Sequence, residues 1–282
     1  MQLKIILSIL VLFSIAFLVP SDANANDGSI ILEKASLEHD FRQGQYHSLV
    51  QVDSDTYALA YAGVDNHGHI STFTISSDGS SVVEVDTLEH DTVQGLHNSL
   101  VQVDSDTYAL AYAGAGDNGH ISTFTIDSNG NIAAVKTQSL GNNLEHDTVQ
   151  GLHNSLVQVD SDTYALAYAG AGDNGFISTF TIYSNNGTIK PIQIQNHAVK
   201  GGSANLEHDE ERGLHNSLVQ VDSDTYALAY EGLNRDGYIS TFTISSSGVI
   251  KPIQIQNHAN TSEVDDVANL EHDEDRASFN SL

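Results

Sequence analysis

Large and small apolar residues alternate in a heptad-free rhythm along most of this chain, and the rhythm restarts at a fixed phase. In Tyr108-Ala109-Leu110-Ala111-Tyr112-Ala113 the large side chains point one way and the alanines the other, so neither face is polar and both must be covered. Before it, SLVQVD (residues 99–104) reads as a strand joined through the SDT turn, a spacing that suits a hairpin. After it, AGDNG leads to HISTFTI (120–126), rich in β-branched and aromatic residues. A further turn, DSNGN, leads to a fourth strand, clearest as TIKPIQIQN (188–196). Pro191, and Pro252 one unit later, cannot donate to a ladder, which places this fourth strand at a sheet edge. No helical apolar period occurs after the first 25 residues, so the expected class is all-β.

The pattern recurs. Aligned on the Leu of LEHD, a 39-residue core repeats without a gap at 37–75, 88–126, 144–182 and 206–244. A fifth copy starts at Leu270 and stops after 13 residues, as if the chain were a fragment of a larger array or closed in an unusual way. Only the connectors differ, at 12, 17, 23 and 25 residues. A four-stranded sheet that is apolar on both faces cannot bury itself alone, and tandem copies must stack. Arranged radially they form a β-propeller of four-stranded antiparallel blades, four complete and one truncated. A β-sandwich-like repeat array is the alternative. The order His-Asn-Ser-Leu, hairpin, Tyr-Ala-Leu-Ala-Tyr, Asp-Asn-Gly, Ile-Ser-Thr-Phe-Thr-Ile resembles a blade of the WD-repeat type, as found in secreted microbial repeat proteins. The Trp-Asp dipeptide is absent and the chain has no Trp, so the resemblance implies a fold and no function.

The N-terminus reads separately. Lys4, the apolar run Ile5 to Val19 and Ala23-Asn24-Ala25 have the form of a secretory signal peptide over 1–25, leaving one propeller or propeller fragment over 26–282. The apolar run is short of the ~20 residues needed to span a bilayer, so no membrane insertion is expected after its removal. Secretion or display at the cell surface follows.

Composition changes the picture in two ways. The formal net charge is −27, which disfavours nucleic acid and anionic lipid and favours cations, cationic partners or solubility in salt. There is no cysteine, which excludes disulfides, thiolate metal sites and cysteine nucleophiles.

Candidate chemistry concentrates in the repeated Glu-His-Asp: Glu38-His39-Asp40, Glu89-His90-Asp91, Glu145-His146-Asp147 and Glu207-His208-Asp209. Placed in loops entering the first strand, these would gather on one face as ligand-binding residues. A loop tie between histidine and aspartate, worth about 1 kcal/mol, is the stronger explanation of the recurrence and needs no ligand. The second histidine, His97, is Tyr46 and Phe279 in other copies, which suits aromatic packing better than metal ligation. One position reads His69, His120, Phe176 and Tyr238, a set able to stack on sugars or to pack between blades. Asp117, Asp173 and Asp236 are the calcium candidates, although none sits in a twelve-residue calcium loop and Asp-Asn-Gly is ordinary turn chemistry. Calcium is the one cofactor considered. Asn186-Gly187-Thr188 and Asn260-Thr261-Ser262 match the glycosylation sequon.

Near-identical units favour a non-catalytic binding or adhesion propeller that is multivalent for a glycan or a cell-surface protein. The alternatives are a glycan-active hydrolase or lyase on the same scaffold, which needs one asymmetric constellation, and a structural envelope scaffold.

Overall fold

Each Tyr/Leu-and-Ala strand becomes the second strand of a sheet, because only a strand buried on both sides satisfies that pattern. In the computed structural model, which describes residues 33–134, 143–192, 205–252 and 269–273, four antiparallel sheets follow one another along the chain. The first contains β1 (Gln45–Gln51), β2 (Thr56–Ala62), β3 (Gly68–Ile75) and β4 (Val82–Asp91). The second contains β5 (Leu96–Gln102), β6 (Thr107–Ala113), β7 (Gly119–Ile126), β8 (Ile132–Ala134) and β9 (Asn143–Asp147). The third contains β10 (Leu152–Gln158), β11 (Thr163–Ala169), β12 (Gly175–Ile182), β13 (Ile189–Pro191) and β14 (Asn205–Asp209). The fourth contains β15 (Leu214–Gln220), β16 (Thr225–Glu231), β17 (Gly237–Ile244), β18 (Ile250–Pro252) and β19 (Asn269–Asp273). The signal peptide, the second sequon and the remainder of the fifth copy lie outside the described residues.

These sheets are propeller-like blades. The strands run in sequence order from inner to outer edge, and β1, β5, β10 and β15 lie next to one another. The proline strands β13 and β18 are outermost, as the missing donor predicts.

One expectation is corrected. LEHD of the second to fifth copies is not a loop before the inner strand but completes the outer edge of the preceding blade, while residues 37–40 of the first copy form no strand. In blade 1 the ten-residue β4 pairs with β3 along its length. In blades 2 to 4 the same edge is split: β8 and β9 both pair with β7, β13 and β14 with β12, and β18 and β19 with β17. The longer connectors therefore interrupt one edge strand, while the three inner strands keep their register.

Blade stacking follows directly from the alternation in the second strand. Ala58, Ala60 and Ile70 of blade 1 receive Leu100, Tyr108, Leu110 and Tyr112 of blade 2. Ala109, Ala111 and Ile121 likewise receive Leu156, Tyr164, Leu166 and Tyr168, and blade 3 meets blade 4 in the same way. The alanine face brings the backbones close and the opposing face fills the gap, each fully buried Leu contributing about 1.5–3 kcal/mol. Polar ties flank this core. Ser48, Ser99 and Ser155 Oγ accept the N–H of Leu100, Leu156 and Leu218 near the inner edge. Farther out, Thr72, Thr123 and Thr179 donate to the turn carbonyls of Gly130, Gly187 and Gly248.

Candidate functional site

The three residues of Glu-His-Asp have three separate structural jobs. The aspartate closes the turn into the next inner strand: Asp91 Oδ1 accepts the N–H of Val93 at 2.9 Å and of Gln94 at 3.1 Å, and Asp40, Asp147 and Asp209 repeat the arrangement. The glutamate reaches the loop before the third strand. Glu89 pairs with His67 Nδ1 at 2.6 Å, while Glu145 and Glu207 accept from Asn118 and Asn174.

The histidine packs at a blade junction. His90 lies edge-on to Tyr112 of the next blade at 4.7 Å and to Phe124 at 5.8 Å; His146 and His208 make the same pair of contacts with Tyr168 and Phe180, and with Tyr230 and Phe242. A Cβ added to Gly68 would stand 2.4 Å from the His90 ring, and one added to Gly95 would stand 2.3 Å from Gly68 Cα, so two glycines clear the space. Both His90 nitrogens are buried without a hydrogen-bond partner, and burial holds its pKa down at about 3 against the pull of Asp91. The expected His–Asp tie is therefore not made at His90, because Asp91 Oδ1 is engaged by two backbone N–H groups.

The aromatic position is also internal. His69, His120, Phe176 and Tyr238 stack on Tyr61, Tyr112, Tyr168 and Tyr230 of their own blade, at 5.4–5.6 Å and 20–25°. Phe176 and Tyr238 are buried, which leaves no open platform for a sugar at these two positions. Of the calcium candidates, Asp117 and Asp173 Oδ1 accept from the Gln94 and Gln150 side-chain amides at 2.6 Å. Asp236 stands one place further on and is 8% exposed. Among the described residues no group of three or more His, Asp or Glu side chains is arranged to hold a metal ion.

A different set of residues converges where the inner strands meet. A cavity of about 400 Å³ is lined by Tyr46, His47, His97, Asn98, His153, Asn154, His215 and Asn216. Each inner strand bulges at its start, where the register with the second strand shifts. The bulge holds Tyr46, His97, His153 and His215 at φ of 52–54°, the left-handed region that non-glycine residues rarely occupy. Four such residues in series constitute backbone strain of the kind that clusters at functional sites. Their rings run blade to blade, with centroids 4.2 Å apart from Tyr46 to His97, 4.2 Å from His97 to His153 and 4.3 Å from His153 to His215. Beneath them Asn98, Asn154 and Asn216 donate to the backbone of the preceding blade and of their own, while each Oδ1 is buried without a partner.

Electrostatics keep this column neutral. Burial, then repulsion from His215, lowers the His97 pKa to about 4; burial, then His97, His215 and Arg212, lowers that of His153 to about 2. His215 is lowered by burial and by Arg212, with Glu231 acting the other way.

The fourfold pattern breaks at one end of the column. Gln43, Gln94 and Gln150 become Arg212, and Ala62, Ala113 and Ala169 become Glu231. The Glu231 side chain is 2% exposed, and its Oε1 accepts from Arg212 Nε at 2.9 Å and Nη2 at 2.5 Å. Its Oε2 lies 3.9 Å from His215 Nε2. One buried carboxylate, one cation and one imidazole thus meet in blade 4 and in no other described blade, and of the three His215 lines the cavity while Arg212 and Glu231 stand behind it. The sequence reading singles out neither Arg212 nor Glu231, and it takes the position of His215 for aromatic packing. The signal was present as two charged substitutions at positions otherwise held as Gln and Ala.

No protein-family model matches the chain, and no curated protein matches it. Among solved structures it resembles a candidate 6-phosphogluconolactonase of Bacteroides fragilis NCTC 9343, at 14% identity and a TM-score of 0.51 over 76% of this chain. It also resembles a candidate 6-phosphogluconolactonase of Bacteroides uniformis ATCC 8492, at 12% identity and a TM-score of 0.50 over 74% of this chain. The periplasmic gluconolactonase of Pseudomonas aeruginosa aligns at 12% identity over 76% of this chain and 72% of its own, with a TM-score of 0.39. The chain spans 57% and 56% of the lengths of the first two. At such identities the likeness concerns the fold, which is β-propeller-like. The expected non-catalytic, multivalent binder is corrected: two of the propeller-like structures it resembles are lactonase candidates, and the Glu-His-Asp residues of the second to fourth copies lie in turns, edges and blade junctions.

Proposed function

We propose that the cavity along the inner strands is a hydrolytic site for a neutral sugar lactone or related ester, on a propeller scaffold. The carrying observation is the Arg212–Glu231–His215 constellation, present in one blade out of four otherwise matching ones. An active site needs unequal partners, and this is where the repeat supplies them. Two structural neighbours bearing lactonase assignments support the same class.

In this reading His215, held neutral, takes a proton from water as the water oxygen attacks the lactone carbonyl carbon. Glu231 stabilises the resulting imidazolium, and Arg212 fixes Glu231 through its Oε1. His153 and His97, neutral at pH 7, can each donate a ring N–H to the carbonyl oxygen as charge develops there. Collapse of the tetrahedral intermediate returns the proton to the ring oxygen as the ester C–O bond breaks. The product is a hydroxy acid whose carboxylate is repelled by a molecule of net charge −27. A glycosidic bond is a poorer fit, since hydrolysis needs two carboxylates about 5–10 Å apart and the cavity lining contains none. The same field favours a neutral over a phosphorylated lactone. The signal-like segment at 1–25 supports an activity outside the cytoplasm.

The test is proton release from glucono-1,5-lactone, followed after subtraction of spontaneous hydrolysis, for the wild type and the Arg212→Gln/Glu231→Ala double variant. That variant gives blade 4 the residues the other three already pack, so it should fold normally and lose the enzymatic rate. Equal rates in both proteins would refute the reading.

A further inference from the structure

The first unit breaks the repeat as the fourth does, at a different place. In blades 2 to 4 the bulge histidine is followed by Asn98, Asn154 or Asn216, whose Nδ2 donates to the backbone of its own turn and of the preceding blade. The fifth copy has asparagine there too, as Asn280. In blade 1 the residue is His47, and it is turned toward another histidine. His47 Nε2 lies 3.2 Å from His39 Nε2, with the ring centroids 5.2 Å apart. His90, the counterpart of His39 one copy later, meets no such partner, and its Nε2 is buried without a hydrogen bond. The blade 1 pair is held from one side by a single ring: His39 lies edge-on to Tyr61 at 4.6 Å, and His47 stacks on the same ring at 6.4 Å and 24°. A Cβ added to Gly44, in the turn between the two histidines, would stand 3.1 Å from His39 Cε1 and 3.2 Å from His47 Nε2, so a glycine leaves room for both rings. Burial, then repulsion from His39, lowers the His47 pKa, which keeps that imidazole neutral at pH 7.

We infer that His39 and His47 chelate one divalent transition-metal ion of the imidazole-binding class, zinc or copper, through their Nε2 atoms. Metal–nitrogen bonds of about 2.0–2.1 Å at a tetrahedral angle set two imidazole nitrogens about 3.3–3.4 Å apart, and this pair stands almost at that separation. Each ring then carries its hydrogen on Nδ1 and gives the Nε2 lone pair to the ion. No third His, Asp or Glu joins the two among the described residues, so water completes the coordination. Two imidazoles suit zinc and copper, whereas calcium takes oxygen ligands. His47 lines the inner-strand cavity, which gives the ion a path in, and a net charge of −27 concentrates cations around the chain. The site shares no residue with Arg212, Glu231 and His215, so it stands or falls apart from the hydrolytic reading.

The test is isothermal titration of the full chain, first stripped of metal, with zinc sulfate at pH 7, for the wild type, His47→Asn and His39→Gln. The wild type should take up one zinc ion per chain through this pair, and each substitution should abolish that uptake. His47→Asn gives blade 1 the residue that the other blades already pack, so it should fold normally, which circular dichroism checks. With one equivalent of copper(II) in place of zinc, the electron paramagnetic resonance spectrum of the wild type should carry nitrogen coupling from two imidazoles. A wild type that takes up no zinc overturns the inference. So does uptake that survives either substitution in full, or a copper spectrum without coupling to two nitrogens.

Discussion

The two histidines of the second, third and fourth repeats, seven residues apart, are put to different uses. His90, His146 and His208 are wedged between a glycine-lined backbone and the tyrosine of the next blade. His97, His153 and His215 stand on left-handed bulges and line the cavity. The first set is unvarying within this chain because the space around it admits only one shape. The second set tolerates Tyr46, because the cavity side has room. Recurrence within a repeat array therefore marks packing here, and the departure from recurrence at Arg212 and Glu231 marks the candidate chemistry.

The largest effect that can break this contrast is kinetic. His215→Gln should lower lactone hydrolysis by about 10²–10⁴-fold, the usual range for a lost acid–base group, with the melting temperature nearly unchanged. A loss of activity that merely tracks a loss of fold would erase the distinction. In the other set, His90→Ala should cost about 3 kcal/mol of stability by opening a cavity at a junction, read as a lower denaturant midpoint. Matching destabilisation by His90→Ala and His153→Ala would show that both sets are packing residues.

Arg212→Gln alone separates pairing from activity. It leaves Glu231 buried without its cation and should cost about 2–3 kcal/mol, less than a fully buried pair because Arg212 is 28% exposed. Adding Glu231→Ala should recover most of that loss. An additive double variant would argue that the pair is not coupled.

The pH dependence has a defined sign. His90, His97 and His153 have folded pKa values lowered to about 3, 4 and 2 from an ordinary 6.5. Between about 6.5 and those values the unfolded chain binds more protons than the folded one, so stability is full above pH 6.5 and falls as the pH drops below it. Thermal melts across pH 7 to 4 should show the decline, shallower in His90→Leu than in the wild type. The smallest effect concerns a single tie between blades. Thr72→Val removes the donor to Gly130 O and should cost about 1 kcal/mol in urea denaturation.

Much of the fold was legible because its signals are local. Tyr108 to Ala113 announces a doubly buried strand, Pro191 announces an edge, and the gapless 39-residue core announces equal blades. The position of LEHD was not legible. Its four residues read as a polar loop, since nothing in Leu-Glu-His-Asp shows that its backbone pairs with an earlier strand, as Leu88 does with Ile70. The candidate site was hidden for a related reason. Arg212 and Glu231 are 19 residues apart, and their meeting depends on the bend into β15 and the return along β16.

By itself the sequence determined the order of the three inner strands of each unit, the faces they bury and the chemical asymmetry of the fourth unit, because alternation and repetition are properties of neighbouring residues. Only the tertiary structure decided which histidine is enclosed and which is open, and that a buried carboxylate stands beside one of them. Those facts depend on how closely one backbone approaches another across a blade junction, and that distance is set by residues far apart in the chain.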